Sequence, residues 1–130
     1  MKKILIIEDN TEIRENTAEL LELNKYNVLT AENGNIGFEL AKKYKPDLIL
    51  CDVLMPETDA REFLKLAKGD DIVRDIPLIF FSAGSMHGEA QKGLIKAADQ
   101  YLLKPFTEEQ LLTTIKKSLD KLRQQPLPQF

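Results

Sequence analysis

In this chain of 130 residues, five side chains able to handle phosphate or metal stand where apolar runs stop. Glu8 and Asp9 follow Ile4-Leu5-Ile6-Ile7, and Asp52 closes Leu48-Ile49-Leu50-Cys51. Ser82 follows Pro77-Leu78-Ile79-Phe80-Phe81, and Lys104 follows Gln100-Tyr101-Leu102-Leu103. Taken singly, each has an ordinary structural explanation: an acid at a strand end caps the next helix, a serine makes a turn, and a lysine before Pro105 is solvated. Their convergence carries the argument. If the runs are parallel strands, their carboxyl ends lie together, which is where open α/β sheets bind ligands. Three carboxylates in one place raise one another's pKa values unless a cation joins them. An all-oxygen site with room for waters and a phosphate suits Mg²⁺. A lysine ammonium and a serine hydroxyl opposite the metal would bind phosphoryl oxygens, and a carboxylate can accept that group as an aspartyl phosphate. The residue types therefore point to metal-assisted phosphoryl transfer.

Such a pocket needs a scaffold that carries several strand ends to one edge. Runs of four apolar residues that stop at acid or at proline are too short for helices and suit strands buried on both faces. Between them the periodicity changes. Asn10 is placed to cap a helix with Ile13, Thr17, Leu20 and Leu21 inward and Glu12, Arg14, Glu15 and Glu19 toward water. Tyr26 to Thr30 reads as an edge strand. Asn33-Gly34-Asn35 is a turn and cap for a helix with Ile36, Gly37, Leu40, Ala41 and Tyr44 on one face, which must stop before Pro46. Met55-Pro56-Glu57-Thr58-Asp59 reads as a loop closing in a capping box of Asp59 with Glu62, ahead of an inner face of Ala60, Phe63, Leu64 and Ala67. Lys68 to Asp75 is a polar connection.

Ser82-Ala83-Gly84-Ser85 reads as a small-residue loop. Ala90, Leu94, Ala97 and Ala98 mark a fourth helix, weakened by Gly88 and Gly93 and expected to be the most mobile, with His87 solvated near its start. Thr107 and Gln110 form another capping box, opening a last helix with Leu111, Ile115, Leu119 and Leu122 inward. Residues 1–123 are expected to make one domain, and residues 124–130, with two prolines, a flexible tail. Five strands alternating with five helices indicate an α/β fold with a flavodoxin-like, doubly wound, five-stranded parallel sheet in the order 2-1-3-4-5.

Composition narrows the function. With 43% apolar residues the chain can fill a single core. Its 18 basic and 21 acidic residues are evenly mixed and sum to a net charge of −3, which leaves no basic face for nucleic acid and no polybasic membrane patch. Cys51, the single cysteine, cannot form an internal disulfide and reads as a small buried thiol. The apolar stretch after Met1-Lys2-Lys3 is too short for a secretory signal, so a cytoplasmic location is expected.

Four stretches together resemble the response-regulator receiver domain of two-component signalling, of the chemotaxis-receiver type. They are Ile6-Ile7-Glu8-Asp9-Asn10, Leu50-Cys51-Asp52-Val53-Leu54-Met55-Pro56, Phe80-Phe81-Ser82-Ala83, and Ala98-Asp99-Gln100-Tyr101-Leu102-Leu103-Lys104-Pro105-Phe106. The resemblance spans about residues 3 to 122. It implies that Asp52 is the phosphoacceptor, that Glu8, Asp9, Asp52 and the backbone carbonyl of Leu54 hold Mg²⁺, and that Ser82 and Lys104 bind the phosphoryl oxygens. It further implies that Tyr101 is an aromatic switch acting with Ser82, that the Lys104-Pro105 bond is cis, and that positions 54 and 84 tune the lifetime of the phosphoryl group. The implied partners are a sensor histidine kinase or phosphotransfer protein, and a downstream protein, or a second copy, bound through the face of the fourth helix, fifth strand and fifth helix. Ala60 and Ala98 stand where the family usually has glycine, and Ser82 where threonine is commoner.

Two rival readings share parts of this pattern. A metal-dependent phosphohydrolase with an aspartate nucleophile needs a second acid two residues on to protonate its leaving group, and position 54 is leucine. A flavodoxin-like carrier needs a hydroxyl and glycine-rich loop after the first strand, where Glu8-Asp9 would repel a flavin phosphate. A receiver that never accepts phosphate would not be expected to keep every pocket group. The expectation is therefore a phosphorelay switch rather than an enzyme acting on a separate substrate.

Overall fold

The computed structural model describes residues 1–53, 57–83, 100–104 and 106–124, with residues 57–59, 82–83, 100–101, 103–104 and 121–124 placed by their backbone. Strands β1 (Lys3–Ile7), β2 (Asn27–Ala31), β3 (Leu48–Asp52), β4 (Leu78–Ala83) and β5 (Gln100–Lys104) form one sheet in the order β2-β1-β3-β4-β5. Every neighbouring pair is parallel. The order and the flavodoxin-like class are those expected from the sequence. Helices α1 (Thr11–Leu23), α2 (Gly34–Tyr44), α3 (Glu57–Lys68) and a C-terminal helix (Glu108–Gln124) accompany them. The fourth helix expected around Ala90, Leu94, Ala97 and Ala98 lies outside the described residues, as do His87 and the tail beyond Gln124.

Alternate strand residues feed two cores, which is why the strand sequences are continuously apolar. Leu5, Ile7, Ile49, Cys51 and Phe80 meet Ala41, Ala60, Phe63 and Ala67 beneath α2 and α3. On the other face Ile4, Ile6, Leu48, Leu50, Ile79 and Phe81 meet Ala18 and Leu21 of α1 and Leu111 and Ile115 of the C-terminal helix. Phe106 seats the entry to that helix on β4, its ring 6.3 Å from that of Phe81 and nearly perpendicular to it. Burial raises the pKa of the Tyr26 hydroxyl, and the charge of Asp120 adds to the effect where the C-terminal helix passes the start of β2.

The caps explain where several helices begin. Asn10 Oδ1 accepts from the Ile13 N–H at 2.9 Å, and Asn33 Oδ1 from the Ile36 N–H at 2.9 Å. The Thr107 hydroxyl accepts from the Gln110 N–H at 3.0 Å while Gln110 Oε1 accepts from the Thr107 N–H at 2.8 Å, a complete capping box. At Gly37 a Cβ would stand 2.5 Å from Ile7 Cδ1, so any larger residue would have to displace the buried Ile7 side chain for α2 to lie this close to β1.

Several expectations are corrected. Helix α3 begins at Glu57, so Asp59 lies in its first turn and is not the cap. Acids favour either position, because both satisfy the positive end of the helix dipole. Strand β4 continues through Ala83, so Ser82 and Ala83 end a strand rather than open a loop. Strand β2 starts one residue late, at Asn27, because Lys25 takes a left-handed φ of 68° after α1. Ile13, Ile36 and Tyr44 are 37 to 39% exposed, while Ala18 and Gly34 are buried in their place. Small residues permit the closest helix–sheet approach, and the bulky ones stand at its margin. Within the polar connection Val73 is buried in a 3-10 turn, and Ser118 is buried on the C-terminal helix with no partner for its hydroxyl among the described residues. That helix runs through Gln124, one residue past the expected boundary.

Candidate metal centre

The register of the sheet brings the acids together. Ile7 of β1 pairs with Cys51 of β3, which sets Glu8 level with Asp52 at the carboxyl end of the central strands. Glu8 is 1% exposed and Asp52 4%, whereas Asp9 faces solvent. Carboxylate oxygens of all three lie within 4.8 Å of one another. Their chemistry fits a small, hard divalent cation, since all donors are charged oxygens and one side of the group is open to water.

Backbone contacts hold this arrangement. The Glu8 N–H donates to the Ala31 carbonyl of β2 at 3.0 Å, continuing the sheet beyond β1. The Glu8 carbonyl accepts from Arg14 Nη1 at 2.8 Å, and Glu8 Oε2 lies 3.5 Å from the Asn10 nitrogen in a longer contact. Beyond Asp52, the Val53 N–H donates to the Phe81 carbonyl at 2.9 Å, so the chain leaving the acid is still tied to β4. Cys51, fully buried as expected, points its thiol toward the Asp52 carbonyl at 3.7 Å.

Ser82 and Lys104 stand at the same end by backbone position. Asp52 pairs with Phe81, which precedes Ser82, and Ser82 and Ala83 pair with Leu103 and Lys104. Tyr101 pairs with Phe80 on β5. Leu54, Gly84 and Pro105 lie outside the described residues, and with them the carbonyl ligand, the lifetime positions and the expected cis bond.

Sequence reasoning missed Arg14. Helical periodicity set it toward water, yet it is half-buried, with its guanidinium on the Glu8 carbonyl and 3.5 Å from the Thr11 hydroxyl. The available signal was an arginine in the first turn after an acid pair, because helical side chains lean back toward the N-terminus.

Comparison with known proteins agrees with this geometry. A family model described as the response regulator receiver domain matches residues 4–116. The chain is similar to the phosphate regulon transcriptional regulatory protein PhoB of Pseudomonas aeruginosa, with 37% identity over 91% of this chain and 52% of that protein. It is also similar to the polar-differentiation response regulator DivK of Brucella anthropi, with 33% identity over 91% of this chain and 96% of that one. It thus spans about half the length of PhoB and nearly all of DivK. Among solved structures, the chemotaxis protein CheY4 of Vibrio cholerae superposes with a TM-score of 0.81 at 30% identity, covering 92% of this chain and 99% of that one. Among the described residues, no helix is long and apolar enough to cross a membrane.

Proposed function

Because the chain belongs to the response regulator receiver domain family of two-component signalling, we propose that it is a phosphoacceptor switch charged on Asp52 by the phosphohistidine of a sensor histidine kinase or phosphotransfer protein. A carboxylate oxygen of Asp52 attacks the phosphorus, the phosphorus–nitrogen bond breaks, and the imidazole leaves with its electron pair and takes up a proton. Glu8, Asp9, Asp52 and the Leu54 carbonyl would hold Mg²⁺. When bound, that ion supplies the positive charge that offsets the phosphoryl oxygens. Lys104 and the Ser82 hydroxyl bind those oxygens, and their pull on Ser82 lets Tyr101 turn. The surface of the fourth helix, fifth strand and C-terminal helix then changes and engages a downstream protein or a second copy. On this reading the protein works in the cytoplasm and turns over no separate substrate.

The observation that carries the reading is a nearly buried Asp52 sharing one 4.8 Å cluster with Glu8 and Asp9 at the carboxyl end of the sheet. The test is incubation with a small phosphodonor, followed by intact-protein mass spectrometry. One phosphate is expected, dependent on divalent metal and labile to hydroxylamine, with none on Asp52→Asn. Labelling of that variant, or labelling without metal, sinks the reading.

Leu54 and Gly84 offer no side chain able to orient a hydrolytic water, so the phosphoryl group is expected to decay slowly. Leu54→Asn combined with Gly84→Glu should speed phosphate release roughly tenfold, about 1.4 kcal/mol of barrier. Release from the labelled double variant no faster than from wild type would count against water positioning as the limit.

A further inference from the structure

We infer that Arg14 is a positioning residue for metal binding: by holding the Glu8 carbonyl, it fixes the peptide plane that joins Glu8 to Asp9 and so aims both carboxylates toward Asp52. The inference rests on the metal-binding part of the reading above. The plane has two neighbours to answer to. On its Glu8 side the chain is anchored by the Glu8 N–H on the Ala31 carbonyl, and past Asp9 by Asn10, whose side chain caps α1 through the Ile13 N–H. Between these anchors, Arg14 Nη1 donates to the carbonyl itself at 2.8 Å. The Arg14 backbone is held in turn by its N–H on the Asn10 carbonyl at 2.9 Å in the first turn of α1, and its Nη2 lies 3.5 Å from the Thr11 hydroxyl. A rotation of the plane would swing the Asp9 side chain away and tilt the buried Glu8 carboxylate.

Charge and geometry make opposite predictions for this residue. If Arg14 acted only as a cation near three carboxylates, it would repel a divalent ion, and its removal would tighten Mg²⁺ binding. If it positions the acids, its removal weakens binding. Groups that orient metal ligands commonly alter affinity by about 10- to 100-fold when removed. Lysine keeps the charge but replaces a planar fork with a single flexible ammonium, so it should restore only part of the effect.

The experiment is a Mg²⁺ titration of the full chain followed by amide NMR, on wild type, Arg14→Met and Arg14→Lys, with amide exchange at Asp9 measured in metal-free protein. The expected result is affinity about tenfold weaker for Arg14→Met, an intermediate value for Arg14→Lys, and faster Asp9 exchange in both. Equal or tighter binding by Arg14→Met overturns the inference. If that variant does not fold, Arg14→Lys decides: wild-type affinity and wild-type Asp9 exchange overturn it. A wild type that binds no Mg²⁺ overturns the metal-site reading itself, whereas unchanged variants beside a binding wild type overturn only the role of Arg14.

Discussion

At the amino end of the β1–β3 pair, charges meet complementary groups. The Lys3 N–H donates to Asp47 Oδ2 at 2.8 Å, and the Asp47 N–H donates back to the Lys3 carbonyl at 2.7 Å. The Lys3 ammonium donates to the Tyr44 carbonyl at 3.1 Å and stands 5.8 Å from the centre of the Tyr44 ring. At the carboxyl end of the same two strands, three carboxylates are gathered within 4.8 Å. The same sheet thus gives an acid and an ammonium backbone partners at one end and gathers three acids at the other. Like charges this close favour a cation between them, which is what the proposed reading asks of the carboxyl end.

The largest expected effect tests that contrast directly. Asp52→Asn removes one of the crowded charges and should raise metal-free stability by on the order of 1 kcal/mol while abolishing phosphorylation. Wild type should in turn be stabilised by Mg²⁺, by about 1.4 kcal/mol at ten times the dissociation constant, and the variant should not respond. Urea unfolding with and without Mg²⁺ measures both. A variant less stable than wild type in metal-free buffer would break the comparison, because it would make Asp52 a structural acid like Asp47.

At the other end the sign reverses. Asp47→Ala leaves the Lys3 N–H without its side-chain acceptor and should cost about 1 kcal/mol, with the response to Mg²⁺ unchanged. Urea midpoints report the first part and a metal titration the second. Loss of Mg²⁺ binding in this variant would show that the two ends are not independent.

How much of this was legible in the sequence follows from how local each signal is. Ile4 to Ile7 and Leu48 to Cys51 had to be buried on both faces, so strand order and the meeting of Glu8, Asp9 and Asp52 followed from a periodicity and a connection rule. The Thr107–Gln110 box was readable because its two bonds join residues three apart in sequence. Asp59 was misassigned because an acid suits both the cap and the first turn, and the choice depends on where the chain leaves β3. Ile13 and Ile36 were set inward by hydrophobicity alone, but Ala18, Gly34 and Gly37 take the closest contact with the sheet. Arg14 escaped because its partner is a backbone carbonyl across a turn, and backbone acceptors leave no mark in residue types.

The smallest expected effect also belongs to the amino end of the sheet, in the connection between α3 and β4. Asp70 Oδ1 accepts from the Val73 N–H at 3.0 Å and from the Ile72 N–H at 2.9 Å, closing the 3-10 turn that buries Val73. These bonds, first that from Val73 and then that from Ile72, hold the Asp70 carboxyl below its ordinary value, and the charges of Lys42 and Arg74 add to the shift. A carboxyl depressed in the folded state contributes stability that is fully present above its unfolded pKa of about 3.9 and is lost as pH falls through the lower folded value. Asp70→Asn keeps an acceptor for both N–H groups but removes the titration. Wild type should therefore exceed this variant in urea midpoint near neutral pH, and the margin should shrink as the solution is taken below about pH 4. A margin that stays constant across that range would mean that the turn is held by hydrogen-bond geometry alone, and that the matched charges at this end of the sheet do not extend to Asp70.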